Sequence, residues 1–395
     1  MKLFDRSRRD LNLLSLSLFV WGLGESLFII FQPLYMQQLG ADPFSIGAIL
    51  SASLLVMSVV QVPVGLIADR FGRRNLLYAS WILGFIAALI MGLARNLTFF
   101  LAGLLLYSLT GAVIGVMNGY IANARGDWSV GRAITFTSAF YNAGALIGPF
   151  LGGMLAERFG LRAIYLIAAG IFFISMLVVF FIHKQPVVAR HEVPSTGSLL
   201  GNRRFMITVV MIGVVIFGAY LPLPLTANFL QNERGVSLAN IGTFGSLASL
   251  GGILFNLFLG HLNPMLIFLV CQLCMVAAAA LFFGGSSAGW FSLAYFLSSG
   301  FRMFGPIAAA MIKPMVHEGQ IGLAFGILEA GRTLSMMVAP LLAGWLYGVN
   351  PPLIYLVAIG LGLFLTALFN WYYRFRYLPS LQVSAVGAAE GVELA

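Results

Sequence analysis

Gly65-Leu66-Ile67-Ala68-Asp69-Arg70-Phe71-Gly72-Arg73-Arg74-Asn75-Leu76-Leu77 is the stretch that decides how this chain is read. It is a short charged connector between two long apolar runs, and ten further runs like them fill the rest of the chain. The 395 residues are 60% hydrophobic and only 9% charged, against about a quarter charged in soluble domains. Each run approaches or exceeds the roughly 20 residues that a helix needs to cross a bilayer core. Backbone in lipid must bond to itself, so only helices or a closed barrel span it, and continuous rather than alternating apolar runs select helices.

The spans are expected at 11–38, 44–64, 76–94, 98–123, 131–157, 163–183, 205–231, 238–258, 265–284, 288–315, 321–347 and 352–374. They form an N-terminal six-helix bundle (1–183) and a C-terminal one (205–377), joined by a polar linker (184–204) with Pro186 and Pro194. The tail 378–395 is low in aromatics and is expected to be disordered. The +9 charge does not indicate nucleic acid, because the cations sit at span ends, as orientation signals do. Of 22 Lys and Arg, only Arg95, Arg158, Arg162 and Arg234 fall outside when the N-terminus is placed inside, and Arg302 and Arg332 fall within spans. Both termini are therefore expected in the cytoplasm. The first span is too long for a signal-peptide core and lacks a cleavage pattern.

The connector carries Gly65, Asp69, Arg70, Gly72, Arg73 and Arg74 at fixed spacing. Gly65 permits close helix approach, Asp69 suits a helix N-terminus, and the arginines can hold carboxylates, so the group reads as a conformational latch. This order resembles the loop signature of the major facilitator superfamily, with Ile67 where Leu is usual. The fifth span, Gly144-Ala145-Leu146-Ile147-Gly148-Pro149-Phe150-Leu151-Gly152-Gly153, resembles the glycine motif of that superfamily's antiporter branches. Gly144, Gly148, Pro149, Gly152 and Gly153 read as a helix-packing motif with a kink. Thr135 replaces a further glycine of the pattern, and Tyr107 stands where many proton antiporters carry an arginine. The resemblance implies two pseudo-symmetric six-helix bundles, a cavity near the midplane and alternating access.

The halves also resemble each other. Gly40, Gly47, Gln61 and Gly65 recur 195 positions later as Gly235, Gly242, Asn256 and Gly260. Gly131, Pro149 and Gly153 recur 191 positions later as Gly322, Pro340 and Gly344. Parallel repeats of this kind are a known transporter plan. Pro264 stands where Asp69 stands in the first half, so a second latch is not expected.

Ionisable residues within spans are costly and mark functional sites. Glu25, Arg302, Glu329 and Arg332 qualify. Glu329 and Arg332 lie on one helix face, where they either neutralise each other or act separately. Glu25 has no partner deep in its own half, so it is either paired across the cavity or protonated. Glu25 and Glu329 are the candidates for proton coupling. Arg302, Arg332, Glu25, Tyr120 and Asn142 are the candidates for substrate contact, although helix glue is the ordinary role of a single polar residue in a span.

No nucleotide loop, metal cluster or nucleophile motif is present, so no catalytic residue, metal or cofactor is expected. Cys271 and Cys274 sit in an apolar run and read as small core residues. The expected chain is an all-helical secondary transporter of a bacterial inner membrane, acting as a monomer on a small molecule. Proton-coupled efflux of amphiphilic compounds is the first reading. Uptake or exchange of a small polar or anionic solute is its rival, and a twelve-helix receptor or enzyme is a third class.

Overall fold

The computed structural model describes residues 6–185, 199–259, 262–317 and 320–374. Most of the linker and all of the tail lie outside the described residues, as do the side chains of Gly65, Asp69 and Arg70. The described residues contain helices and turns and no strand. Twelve spans are present. Eleven are long and apolar enough to cross a membrane as single stretches, and the twelfth is Ala288–Ser298, Ser299–Met303 and Phe304–Ile312 taken together.

Four spans are broken midway by a 3-10 turn: the first at Ile29–Phe31, the fourth at Gly111–Val113, the seventh at Leu223–Leu225 and the tenth at Ser299–Met303. They are every third span, counted from the first. Span ends follow capping chemistry. Asp42, Asn96, Ser129, Asn202 and Asn263 each accept a backbone N–H of the helix they start. The equivalent turns before the second and eighth spans pass through Gly40 at φ 95° and Gly235 at φ 63°, a region open to glycine and strained for other residues.

The quoted stretch is not a loop. The second span runs Pro43–Phe71 and the third begins at Arg73, so only Gly72, at φ 86°, separates them. Leu66 to Phe71 form the helix's last turns. Charge at the interface ends the hydrophobic run without ending the helix, which is why a hydropathy boundary falls about seven residues short. In the second half the matching position opens the ninth span, with Asn263 as cap and Pro264 at the first turn, the place where proline fits a helix.

The repeated glycines and prolines build one contact twice. Gly47 of the second span lies on the Pro340 carbonyl of the eleventh, and Gly242 of the eighth lies on the Pro149 carbonyl of the fifth. Gly344 meets the backbone of Pro43 and Phe44, and Gly153 meets Leu238 and Gly242. A Cβ on any of these glycines would collide with backbone. Hydrogen bonds flank the contacts: Phe150 N donates to Ser246 Oγ at 3.1 Å, Ala239 N to Glu157 Oε2 at 2.8 Å, and Asn232 Nδ2 to Gln37 Oε1 at 3.0 Å. Such bonds average only about 0.6 kcal/mol within membranes, so close backbone packing carries the closure.

All these contacts lie at the end of the bundle opposite the chain termini. There one apolar core runs through both halves, by way of Phe31, Phe229, Phe244 and Tyr355. A separate core of Phe205, Phe268, Phe304 and Phe369 fills the second half nearer the termini. The two bundles are thus joined at one end and packed independently at the other.

Candidate functional site

Glu25 lies one turn before the break in the first span. Its Oε2 accepts the Tyr141 hydroxyl at 2.8 Å, and Trp21 and Tyr107 flank the carboxyl. Trp21 packs on Trp81 with ring centroids 5.1 Å apart and stacks with Tyr107 at 6.4 Å. The Trp81 indole N–H points to Ser17 Oγ at 2.8 Å and Ser175 Oγ at 2.9 Å, tying the first, third and sixth spans together. Trp21, Trp81 and Tyr141 wall a cavity of about 320 Å³ inside the first half, with Ser80, Thr110, Asn118 and Ser138 as further polar lining. Among the described residues Glu25 forms no ion pair. The site is an acid in an aromatic box, able to hold a proton or a cation but not both.

A second cavity of about 390 Å³ lies between the halves. Arg302 enters it from the 3-10 turn of the tenth span, alongside Gln32, Tyr220, Ser249, Tyr295 and Ser299, and among the described residues no Asp or Glu lines it. The Arg302 guanidinium reaches Ser249 Oγ at 3.5 Å, the outer limit of a hydrogen bond. All four broken turns contribute to one cavity or the other: Gly111 and Val113 to the first, and Ile29, Ile30, Leu223, Pro224, Ser299 and Phe301 to the second.

The profile of the Major Facilitator Superfamily matches residues 14–305 and 209–391. The chain belongs to this superfamily. It is 30% identical over 257 residues to the multidrug resistance protein MdtG of Salmonella paratyphi A (strain ATCC 9150 / SARB42), an alignment covering 62% of this chain and 64% of that protein. The chain thus matches under two-thirds of that relative's length. The nucleoside transporter NupG superposes with a TM-score of 0.77 at 14% identity, covering 93% of this chain and all of the other. A bacterial homologue of the human lysosomal transporter Spinster, inward-facing and occupied, gives a TM-score of 0.74 at 14% identity, covering 94% and 97%. At such identities these two establish the fold alone. The relative and the solved structures named here are a drug-resistance protein and transporters.

Within this superfamily member the sequence candidates separate. Glu25 and Arg302 line cavities. Tyr120 lines neither: it is fully buried, its hydroxyl donating to the His183 carbonyl at 2.8 Å and to Asp10 Oδ2 at 3.1 Å. Asp10 also accepts the His183 backbone N–H at 3.2 Å and meets its ring at 2.8 Å. Tyr120 is therefore a structural tie, and Asn142 also lines neither cavity. Arg332 donates to Glu329 at 2.7 Å one turn away, the self-neutralising pair, and neither residue lines either of these two cavities.

Among the latch residues, Arg73 donates to the Gly119 carbonyl at 2.8 Å and Arg74 lies over the Tyr78 ring at 5.2 Å. The packing motif divides by direction. Gly144, Gly148 and Gly152 press the fifth span onto the first at Phe19, Ser26 and Leu27, while Gly153 faces the other half. Cys271 and Cys274 are free thiols, Cys271 fully buried. Trp21 and Trp81 are the site residues that motif and charge reading passed over. Their signal was a tryptophan at helical depth beside a polar residue, Ser80 next to Trp81.

Proposed function

We propose that this transporter exports amphiphilic compounds in exchange for protons, with Glu25 carrying the proton. The observation that carries the reading is the Glu25 carboxyl, held by Tyr141 in an aromatic cavity and unpaired by any cation among the described residues. A proton and a substrate group that need the same carboxyl exclude each other, which is the requirement for exchange. Similarity to MdtG, named for multidrug resistance, and the glycine motif of the fifth span support the direction. The protein works as a monomer in a bacterial inner membrane with both termini inside, so the end joined in this structure is the outer one.

Uphill, pH-driven transport by Glu25→Gln in liposomes tests the proposal. Transport is abolished, while binding and downhill exchange survive, because the amide mimics the protonated acid. Uphill transport that persists in Glu25→Gln moves the coupling to Glu329, or removes proton coupling if Glu329→Gln is also active.

A further inference from the structure

We propose that the transported molecule is a zwitterionic amphiphile, its anionic group seated on Arg302 and its cationic group against Glu25; this rests on the exchange reading above. Arg302 is exposed to the cavity between the halves, on the broken turn Ser299–Met303, and among the described residues its hydrogen bond to a side-chain oxygen is the one to Ser249 at 3.5 Å. Among the described residues no carboxylate lines that cavity. Ser298 and Ser299 direct their hydroxyl protons to the Tyr295 and Phe296 carbonyls, which leaves Arg302 as the cationic donor of this wall. A guanidinium at membrane depth without a counter-anion is costly, and it is neutralised best by a carboxylate or phosphonate in a charge-assisted pair.

Glu25 offers the opposite chemistry. A carboxylate among Trp21, Trp81, Tyr107 and Tyr141 attracts an ammonium through its charge and through the ring faces. The two chambers adjoin. Glu25 lines one and its neighbour Ser26 the other, and the Tyr141 hydroxyl that donates to Glu25 lies within electrostatic reach of Arg302. This adjacency fixes the charge class. An acid alone would place a negative group near Glu25 and hold its proton there, opposing exchange. An amine alone would displace the proton and leave Arg302 without a partner. A molecule bearing both charges satisfies both walls and still expels the proton.

The test compares three probes sharing a dodecyl chain: dodecyltrimethylammonium, dodecanoate and N-dodecyl-N,N-dimethylglycine, each titrated onto the full chain in nanodiscs. The zwitterion is expected to bind about tenfold tighter than either singly charged probe, the scale of one charge-assisted hydrogen bond. Arg302→Gln removes that advantage and weakens dodecanoate, leaves dodecyltrimethylammonium unchanged, and Arg302→Lys restores most of the loss. Equal affinity of the three probes for wild type, or an unchanged zwitterion affinity in Arg302→Gln, overturns the proposal. If Arg302→Gln does not fold, the wild-type ranking decides alone. Proton release in weak buffer separates the two readings: Arg302-dependent binding of the zwitterion without release refutes exchange and keeps the charge assignment, whereas release on binding dodecyltrimethylammonium with no zwitterion advantage does the reverse.

Discussion

Gly47 lies against the carbonyl oxygen of Pro340 so closely that no Cβ fits between them. The same contact between Gly242 and Pro149 closes the other flank. Gly47→Ala and Gly242→Ala are each expected to open this end of the bundle, since overpacking costs about 1–3 kcal/mol. Distances between spin labels placed on the second and eleventh spans should lengthen in Gly47→Ala. Unchanged distances would mean that the closure does not depend on this contact.

Gly148 faces Ser26 and the Leu23 carbonyl. Gly148→Leu should lower the melting temperature of the purified protein and slow transport together, because the first and fifth spans can no longer meet. A stable and fully active variant would show that the two helices separate without consequence.

Tyr120 ties Asp10 to His183 rather than facing a cavity. Tyr120→Phe is expected to lower stability by about 0.5–1.5 kcal/mol, one net hydrogen bond, and to leave substrate affinity where it was. Thermal melts and equilibrium binding on the same sample check both halves of the prediction, and a large affinity loss would return Tyr120 to the binding site.

Asp69 lies in the last turns of the second helix, one residue pair from the Gly72 break. On the latch reading of the sequence, Asp69→Asn is expected to cut transport strongly at near-normal expression, since that reading assigns the charge to switching. Wild-type flux in this variant would dismiss the latch.

The fold was legible because lipid enforces it. Twelve continuous apolar runs such as Leu353–Tyr372 select helices, and three of the recurrent pairs, Gly47 and Gly242, Pro149 and Pro340, and Gly153 and Gly344, form the two copies of one interface. Span ends were less legible, since Leu66 to Phe71 remain helical after the hydropathy falls. The site was half legible. Glu25 and Arg302 announce themselves by the cost of their charge. Tyr120 did not, because a phenol is equally suited to a cavity wall and to a buried tie, and only its three-dimensional neighbours Asp10 and His183 decide. Trp21 and Trp81 look like any membrane tryptophan until Glu25 is placed beside them.

The four 3-10 interruptions have a mechanical consequence. They are the points where the hydrogen-bond ladder of each broken span is weakest, and they also line the two cavities. Cavity wall and joint are therefore one set of atoms. A guest that fills the cavity stiffens or bends the rods directly, with no relay of residues between the sensing surface and the moving part. Sequence drift at Ile29–Phe31 or Ser299–Met303 would accordingly alter the tempo of the cycle along with its taste for cargo, and neither property could be tuned in isolation.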